Sequence, residues 1–441
     1  MPKMKHTTFL YSALLFCLPF GDLFAQEKLN LKDAITIALE NNYSIKLSNN
    51  ENAIAKNDLN YANAGFLPSV TGNLTDVNNI QTSKTDLANG DVRDVNNAKT
   101  SNLNYGVGLN WKVFDGFKMF ADYDRLQELE KLGELNAQLT VQNTIAAVVE
   151  SYYNLASQKK QLVAIETALE VSTIRLNNAK SRYTLGKGSK LELLAAKVDL
   201  NADTTQLLMQ QDRIRNEKVN LNQLMARNLE TSFEIDDDIL IDKDLVYQTL
   251  KTLIDSQNPD LKTAQINKKI SEIYVKQVKA NRYPVISLNS GYNFAKSTPL
   301  QNGFAPLRSN TRGLNYGLTA SVNIFNGGQQ NRSERNAKLL ADNSGLDLER
   351  IKQDVDAQLL TSFQNYQTSL QLISLEEKNV EVAEENLKIT LEKYKLGSIV
   401  PLELREAQRN YMDATARYAN ALYQAKISEI TLKEITGTIA L

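Results

Sequence analysis

The side chains that most often do chemistry are nearly missing from this chain. One histidine, His6, and one cysteine, Cys17, occur in 441 residues, and both lie close to the start. Everything downstream therefore lacks an imidazole base, a thiolate nucleophile, a thiolate zinc site and a disulfide. Carboxylates remain as candidates. Asp236-Asp237-Asp238 is the densest group, but it has no spaced donors of the kind a calcium loop needs, and a capped, solvated turn accounts for it. Gly186-Lys187-Gly188 offers glycines and a cation, yet no GxxxxGKS/T or GxGxxG pattern follows a strand. We expect no catalytic residue, no metal and no cofactor. With 50 Lys+Arg against 51 Asp+Glu and a net charge of −1, a nucleic-acid partner is not expected either, since such proteins carry a basic excess.

The first 25 residues read as an address. Lys3 and Lys5 precede an apolar run from Phe9 to Phe20, Pro19 and Gly21 break it, and Ala25 puts a small residue before Gln26. This is the layout of a secretory signal peptide over residues 1–25. The run falls short of the ~20 residues that span a bilayer. Phe16 stands where a lipid-attachment signal wants a small residue before Cys17, which favours cleavage after Ala25 without a lipid. No later apolar run suits a membrane helix. The exported chain is thus soluble outside the inner membrane, or it crosses the outer membrane as β-strands.

The chain also repeats itself. Asn42 to Lys46 recurs as Asn258 to Lys262, and Pro68 as Pro284, both 216 residues on. Leu103 to Gly116 (LNYGVGLNWKVFDG) recurs as Leu314 to Gly327 (LNYGLTASVNIFNG), and Tyr183-Thr184-Leu185-Gly186 as Tyr394-Lys395-Leu396-Gly397, both 211 residues on. Blocks in one order at nearly one offset indicate a tandem duplication, residues 27–240 and 241–441, joined by the acidic stretch Glu234 to Asp244. The second copy has lost five residues between Pro284 and Leu314, where a loop belongs.

Each half predicts the same elements. A helix with period 3.6 runs from Leu31 to Tyr61, and its counterpart from Leu245 to Tyr283. The period then becomes 2. Leu103, Tyr105, Val107, Leu109, Trp111 and Val113 alternate with Asn104, Gly106, Gly108, Asn110 and Lys112, and residues 314–324 do the same. This predicts two strands over about 67–113 and two over about 284–325, with polar loops at Asn78 to Ser101 and Ala295 to Arg312. Apolar residues on one face and Gly/Asn on the other suit a tilted membrane strand above a wet lumen, although a half-buried hairpin in a soluble domain has the same alternation. Long helices follow over 117–185 and 329–396, free of proline and each roughly 100 Å long at 1.5 Å per residue. A heptad runs through both: Val148, Leu155, Leu162, Leu169, Leu176, Tyr183, and 211 residues later Leu359, Tyr366, Ile373, Val380, Leu387, Tyr394. It predicts packing along one seam. Gly186 and Gly397 end these helices. Ser189-Lys190-Leu191-Glu192 is a capping box, Pro401 suits the first turn, and helices continue over 190–229 and 401–436.

Four membrane strands cannot close a barrel, so several chains must build one. The order of signal peptide, helix, two strands, long helix, LG turn and helix, present twice, resembles the TolC-like outer-membrane efflux proteins. The residues that carry the likeness are Phe66 to Pro68 and Arg282 to Pro284 leading into strands, Val113 to Gly116 and Ile324 to Gly327 leaving them, and the tips RYTLG (Arg182 to Gly186) and KYKLG (Lys393 to Gly397). The resemblance implies a mostly α, α+β membrane protein. Long helical hairpins would form a trimeric α-barrel tunnel, and four strands per chain would contribute to a shared 12-strand β-barrel in outer-membrane lipid. It implies a homotrimer serving as a passive exit duct of a tripartite efflux pump or a type I secretion system, with a periplasmic adaptor and an inner-membrane transporter as partners. Adaptor docking would fall on the tips: Arg182, Leu185, Gly186, Lys187 and Ser189 on one hairpin, Tyr394, Leu396, Gly397, Ser398 and Pro401 on the other. Some family members narrow the tunnel mouth with aspartates before the second tip; here Lys388 stands at about that place, flanked by Glu384, Glu385 and Glu392, which argues against an acidic ring and favours a solvated helix face. A general diffusion porin and a periplasmic coiled-coil scaffold are the alternatives. The first needs no pair of long hairpins, and the second needs no strands with an apolar face.

Overall fold

A computed structural model describes residues 27–299 and 308–439. The signal peptide expected over 1–25 lies outside the described residues, as does part of the polar segment between Ala295 and Arg312. Along the chain the elements are β1 (Glu27–Leu29), α1 (Leu31–Asn41), α2 (Tyr43–Asp58), β2 (Ser69–Asp86), β3 (Val92–Asp115), α3 (Lys118–Thr184), α4 (Lys190–Leu224) and β4 (Phe233–Ile235). There follow α5 (Tyr247–Gln257), α6 (Pro259–Ala280), β5 (Val285–Pro299), β6 (Ser309–Ser321), α7 (Gln329–Lys395) and α8 (Pro401–Ile435). Helices α3 and α7 have 67 residues each, and α4 and α8 have 35 each.

The helix expected to open each half is two helices, broken at an asparagine. Asn42 Oδ1 accepts from the Ser44 and Ile45 amides and starts α2, and Asn258 Oδ1 accepts from the Leu261 amide and starts α6. A side chain that caps a new helix competes with continuation of the old one. The same two residues also tie the start of each half to its own end. Asn42 Nδ2 donates to the Leu224 carbonyl at 2.8 Å, and Asn258 Nδ2 to the Ile435 carbonyl at 2.7 Å. Each break is thereby fixed to an orphan carbonyl at the end of α4 or α8.

Four strands form one antiparallel sheet in the order β2-β3-β5-β6, and β1 pairs in parallel with β4. The polar segment from Asn78 to Ser101, expected as a loop, is paired strand. Asn78 stands opposite Ser101 and Thr85 opposite Arg93, and only Leu87 to Asp91 turns the chain. An antiparallel ladder satisfies its own backbone whatever the side chains. Where neither face is buried, the alternation that marks a strand disappears.

The acidic linker is tied down as a belt around the helices. Lys159 bridges Glu234 and Asp237, Lys218 reaches Glu234 at 2.7 Å, Lys28 reaches Asp236, and Lys433 reaches Asp242. Burial alone would raise the Glu234 carboxyl, but Lys218 and Lys159 overcome it and hold the group below the usual carboxylate range.

The heptad is buried unevenly. Val148 and Leu155 of α3 are sealed against α1, α4, β1 and β4 with Leu29, Leu221 and Phe233, while Leu359 and Tyr366 of α7 pack with Leu250, Ile254 and Leu432. Leu162, Leu169, Leu176, Ile373 and Val380 are only half-buried. Toward the tip the sealed residues of α3 become Ala164, Ala168, Val171, Ser172, Arg175 and Ala179. A helix of 3.6 residues per turn drifts about 20° per heptad against a seven-residue repeat, so one stripe cannot stay on the seam for 67 residues. Leu155→Ala and Leu359→Ala should each cost about 2–5 kcal/mol, read as loss of thermal stability of the detergent-solubilised protein.

Candidate channel wall and hairpin tips

The sheet has two chemically distinct faces. Register places Leu109, Val107 and Tyr105 of β3 opposite Ser290, Tyr292 and Phe294 of β5, and these in turn opposite Tyr316, Leu314 and Arg312 of β6. The Tyr105 and Phe294 rings stack at 4.8 Å. Trp111 shares this face opposite Leu288, and its indole N–H donates to the Phe66 carbonyl at 2.8 Å. The apolar side chains of β5 run from Ile286 to Phe294, close to the 9–11 residues of a tilted membrane strand.

The other face is glycine and amide. Asn110 Nδ2 donates to Asn289 Oδ1 at 2.9 Å, Asn289 Nδ2 to Thr319 Oγ1 at 3.3 Å, and Asn293 Nδ2 to Asn315 Oδ1 at 3.0 Å. Glycine is required beside them: a Cβ at Gly106 would overlap Asn293 Oδ1 and stand 2.6 Å from the Tyr292 carbonyl oxygen. Polar ladders on one side and apolar and aromatic residues on the other make a wall between water and lipid.

At the opposite end of the long helices lie the tips. Gly186 and Gly397 take φ of 72° and 73°. Gly186 N–H donates to the Tyr183 carbonyl and Lys187 N–H to the Arg182 carbonyl, and Gly397 and Ser398 repeat this onto Tyr394 and Lys393. Each tip is thus a Schellman turn, with glycine at the position that needs a left-handed backbone. Ser189 Oγ accepts from the Glu192 amide at 3.1 Å, but Glu192 does not reach back; its carboxylate lies 3.6 Å from Arg182 instead. Val400 precedes Pro401 at the start of α8. Leu185 and Leu396 are 71% and 81% exposed.

Tyr394 differs from the other tip residues. It is 2% exposed and packs with Val171, Leu387, Leu404 and Tyr411. Burial, with Glu192 adding to it, pushes its phenol upward. Its ring fastens α7 to α3 and α8 and presents nothing to a partner. Glu384, Glu385, Lys388 and Glu392 are exposed on α7, and Glu392 is paired with Lys395 at 2.8 Å. Glu384, Lys388 and Glu392 recur every four residues and so share one face.

A polar cluster near the tips escaped the sequence reading. Asp199 of α4 accepts from Arg175 Nη2 of α3 at 2.7 Å and from Arg405 Nη1 of α8 at 2.6 Å. One turn away, Asp203 accepts from Ser172 and from Gln408 Nε2, the latter at 2.8 Å, and Gln408 also donates to the Ala168 carbonyl. Asp199/Asp203, Ser172/Arg175 and Arg405/Gln408 each stand three or four residues apart, so each pair presents one helix face. That spacing was visible, but nothing in one sequence says the three faces meet.

The sheet is fused to paired 67-residue helices, and the chain is similar to known proteins over nearly its whole length. The sequence model of the family described as outer membrane efflux protein matches residues 34–227 and 252–438, one match in each half. This chain belongs to the outer membrane efflux protein family. The outer membrane protein TolC of Vibrio cholerae is 19% identical over 346 residues, covering 77% of each chain. Among solved structures, the CmeC outer membrane channel of Campylobacter jejuni superimposes with a TM-score of 0.76 at 18% identity, covering 99% of this chain and 94% of that one. VceC of Vibrio cholerae gives 0.72 at 16% identity, with coverages of 92% and 96%. The protein is therefore an efflux channel of the outer membrane and not an enzyme, and the duplication seen in the sequence is the family's own.

Within this channel the Arg175–Asp199–Arg405 cluster joins the two hairpins. The Arg175 side chain is 3% exposed and that of Arg405 59%, so removing Asp199 leaves the buried Arg175 guanidinium uncompensated, at about 3–5 kcal/mol. Asp199→Ala should therefore open the tip end to limited proteolysis and lower the unfolding temperature, whereas Lys388→Ala, on the exposed face, should change neither.

Proposed function

We propose that three copies of this chain form a passive duct through the outer membrane and periplasm, carrying substrate outward from an inner-membrane transporter joined to it by a periplasmic adaptor. The duct would serve a tripartite efflux pump or a type I secretion system. The observation that carries this reading is the open sheet. Among the described residues the four strands end in two unpaired edges, β2 and β6, and lipid tolerates no such edge because each unsatisfied backbone group costs several kcal/mol. Closure by further copies removes the edges and places the Gly/Asn faces around a common lumen. A diffusion porin closes its barrel within one chain and has no use for a helical body roughly 100 Å long.

Such a body carries the duct away from the barrel, and its far end is the tips. Exposed Leu185, Leu396 and Leu402 lie beside two turns whose backbone is uncovered, since no atom comes within 4 Å of a Cβ built on Gly186 or Gly397. An isolated tip gains nothing from exposed leucines, while a docked helical hairpin would cover them. Gly186→Asp and Gly397→Asp strain one turn by about 1–2 kcal/mol and put a charge at the docking surface. The double mutant is expected to reach the outer membrane in normal amount and to abolish export. Lys187→Cys and Ser398→Cys are expected to crosslink to the adaptor in cells. Full export by the double mutant, or crosslinks arising only from residues 78–101, would place docking elsewhere.

A further inference from the structure

The rim where sheet becomes helix carries different chemistry in the two halves. In the first half it is aromatic. Trp111, on the apolar face of the sheet, donates its indole N–H to the Phe66 carbonyl, and the Phe66 ring meets that of Phe120 edge-on at 5.0 Å. Phe117 is exposed on the same rim and stands edge-on to Phe114. Its φ is 70°, a left-handed backbone that a bulky residue rarely adopts, whereas the equivalent residue in the second half is Gly328, at 73°. The first half thus keeps a phenyl ring on the rim at a position where glycine would be free of strain. Girdles of aromatic side chains mark the level at which hydrocarbon gives way to headgroups.

In the second half the same contacts are polar and ionic. Arg282 and Asn331 stand where the first half has Phe66 and Phe120, and Arg282 Nη2 donates to Asn331 Oδ1 at 2.6 Å. Arg282 also pairs with Glu334, the counterpart of Tyr123. Farther along α7, Arg335 and Lys338 replace Asp124 and Gln127. Asn331, Arg335 and Lys338 are spaced i, i+4, i+7 and so continue the rim on one helix face. That face is open. α3 packs against both α2 and α6, yet Phe120, Asp124 and Gln127 stay exposed. Arg335 and Lys338 are exposed likewise, and among the described residues neither forms an ion pair. The next acid on this face, Asp342, lies a further turn from the sheet.

We propose that the Arg335–Lys338 face of α7 seats the headgroup of an anionic phospholipid from the periplasmic leaflet of the outer membrane. Depth and charge both favour this occupant. At 1.5 Å per residue, Arg335 lies about 6 Å and Lys338 about 10 Å beyond the level of Asn331. Helical side chains lean toward the helix N-terminus, which here points to the sheet, so both cations reach back toward the rim. The headgroup layer on one side of a bilayer is roughly 5–8 Å thick, which puts the phosphates within their reach. A zwitterionic headgroup would bring an ammonium to a face whose nearest acid, Glu334, is spent on Arg282. The acyl chains then lie along the exposed Leu318 and Tyr316 of β6. The site requires that the apolar face of the sheet lies in lipid and is independent of how many copies assemble.

Native mass spectrometry of the detergent-solubilised protein, titrated with phosphatidylglycerol or phosphatidylcholine, tests the site by counting bound lipid. Phosphatidylglycerol should be retained in preference at low salt. Arg335→Gln and Lys338→Gln should each weaken its binding about fivefold, and the two together roughly thirtyfold, with the unfolding temperature unchanged. Arg335→Lys, which keeps the charge, should retain binding, and so should Lys388→Gln, on the same helix near the tip. Excess inorganic phosphate should not displace the lipid. Equal retention of the two lipids, or undiminished phosphatidylglycerol binding by the double variant, would overturn the proposal. An equal loss from Lys388→Gln would assign the effect to overall charge and overturn it too. Displacement by inorganic phosphate would reveal a free-anion site in place of a lipid site.

Discussion

A β-strand edge in hydrocarbon has nowhere to put its hydrogen bonds. Water satisfies an exposed edge in a soluble protein, but lipid does not, and the penalty grows with every backbone group along the edge. This chain has two long edges on one four-stranded sheet. The constraint reaches well beyond the strands. It explains why the same half is built twice, since a repeated unit supplies an edge that fits its own neighbour. It also accounts for a polar face of glycine and asparagine: in the proposed assembly, copies closing around an axis would bring those faces together, and small residues and amide ladders would leave the axis wet. Gly106, pressed against Asn293 and the Tyr292 carbonyl, shows how little room the wall leaves.

The helices answer a different requirement, which is reach. A single 67-residue helix has no tertiary support of its own, so the body is stabilised by seams on several sides. Near the waist the seams are large and apolar, as at Val148, Leu155, Leu359 and Tyr366. Near the tips α3 turns small residues inward, and the joining shifts to Tyr394 and to the Arg175–Asp199–Arg405 cluster. Of its two ion pairs only Arg175–Asp199 is buried, and a buried pair contributes less than apolar packing unless its geometry is good. Such a pair suits the end of the molecule where position matters more than strength.

Much of this was legible in the residues. The duplication, the strand-to-helix transitions at Gly116 and Gly327, and the Schellman glycines at 186 and 397 each follow from spacing and backbone preference. The breaks at Asn42 and Asn258 were missed because periodicity continues through them; only the paired contacts to Leu224 and Ile435 show that the side chain is spent on capping. The outer part of the β2–β3 hairpin carries no strand signal in the sequence, because a strand with two wet faces has no alternation to detect. The heptad predicts deeper burial at Leu162 and Ile373 than the structure gives them, since a seven-residue repeat drifts against a straight helix. The ionic cluster needed three helices in space. Tyr394 stands in a tip motif by sequence, yet its side chain points into the core, a direction that spacing along one helix does not give when three helices surround it.

Conductance of the purified protein in a planar bilayer tests the account most directly. Chains that close their edges around a polar lumen should insert and produce discrete, uniform current steps at low concentration. A protein that stays in the aqueous phase, or that binds the bilayer without conducting, would contradict it.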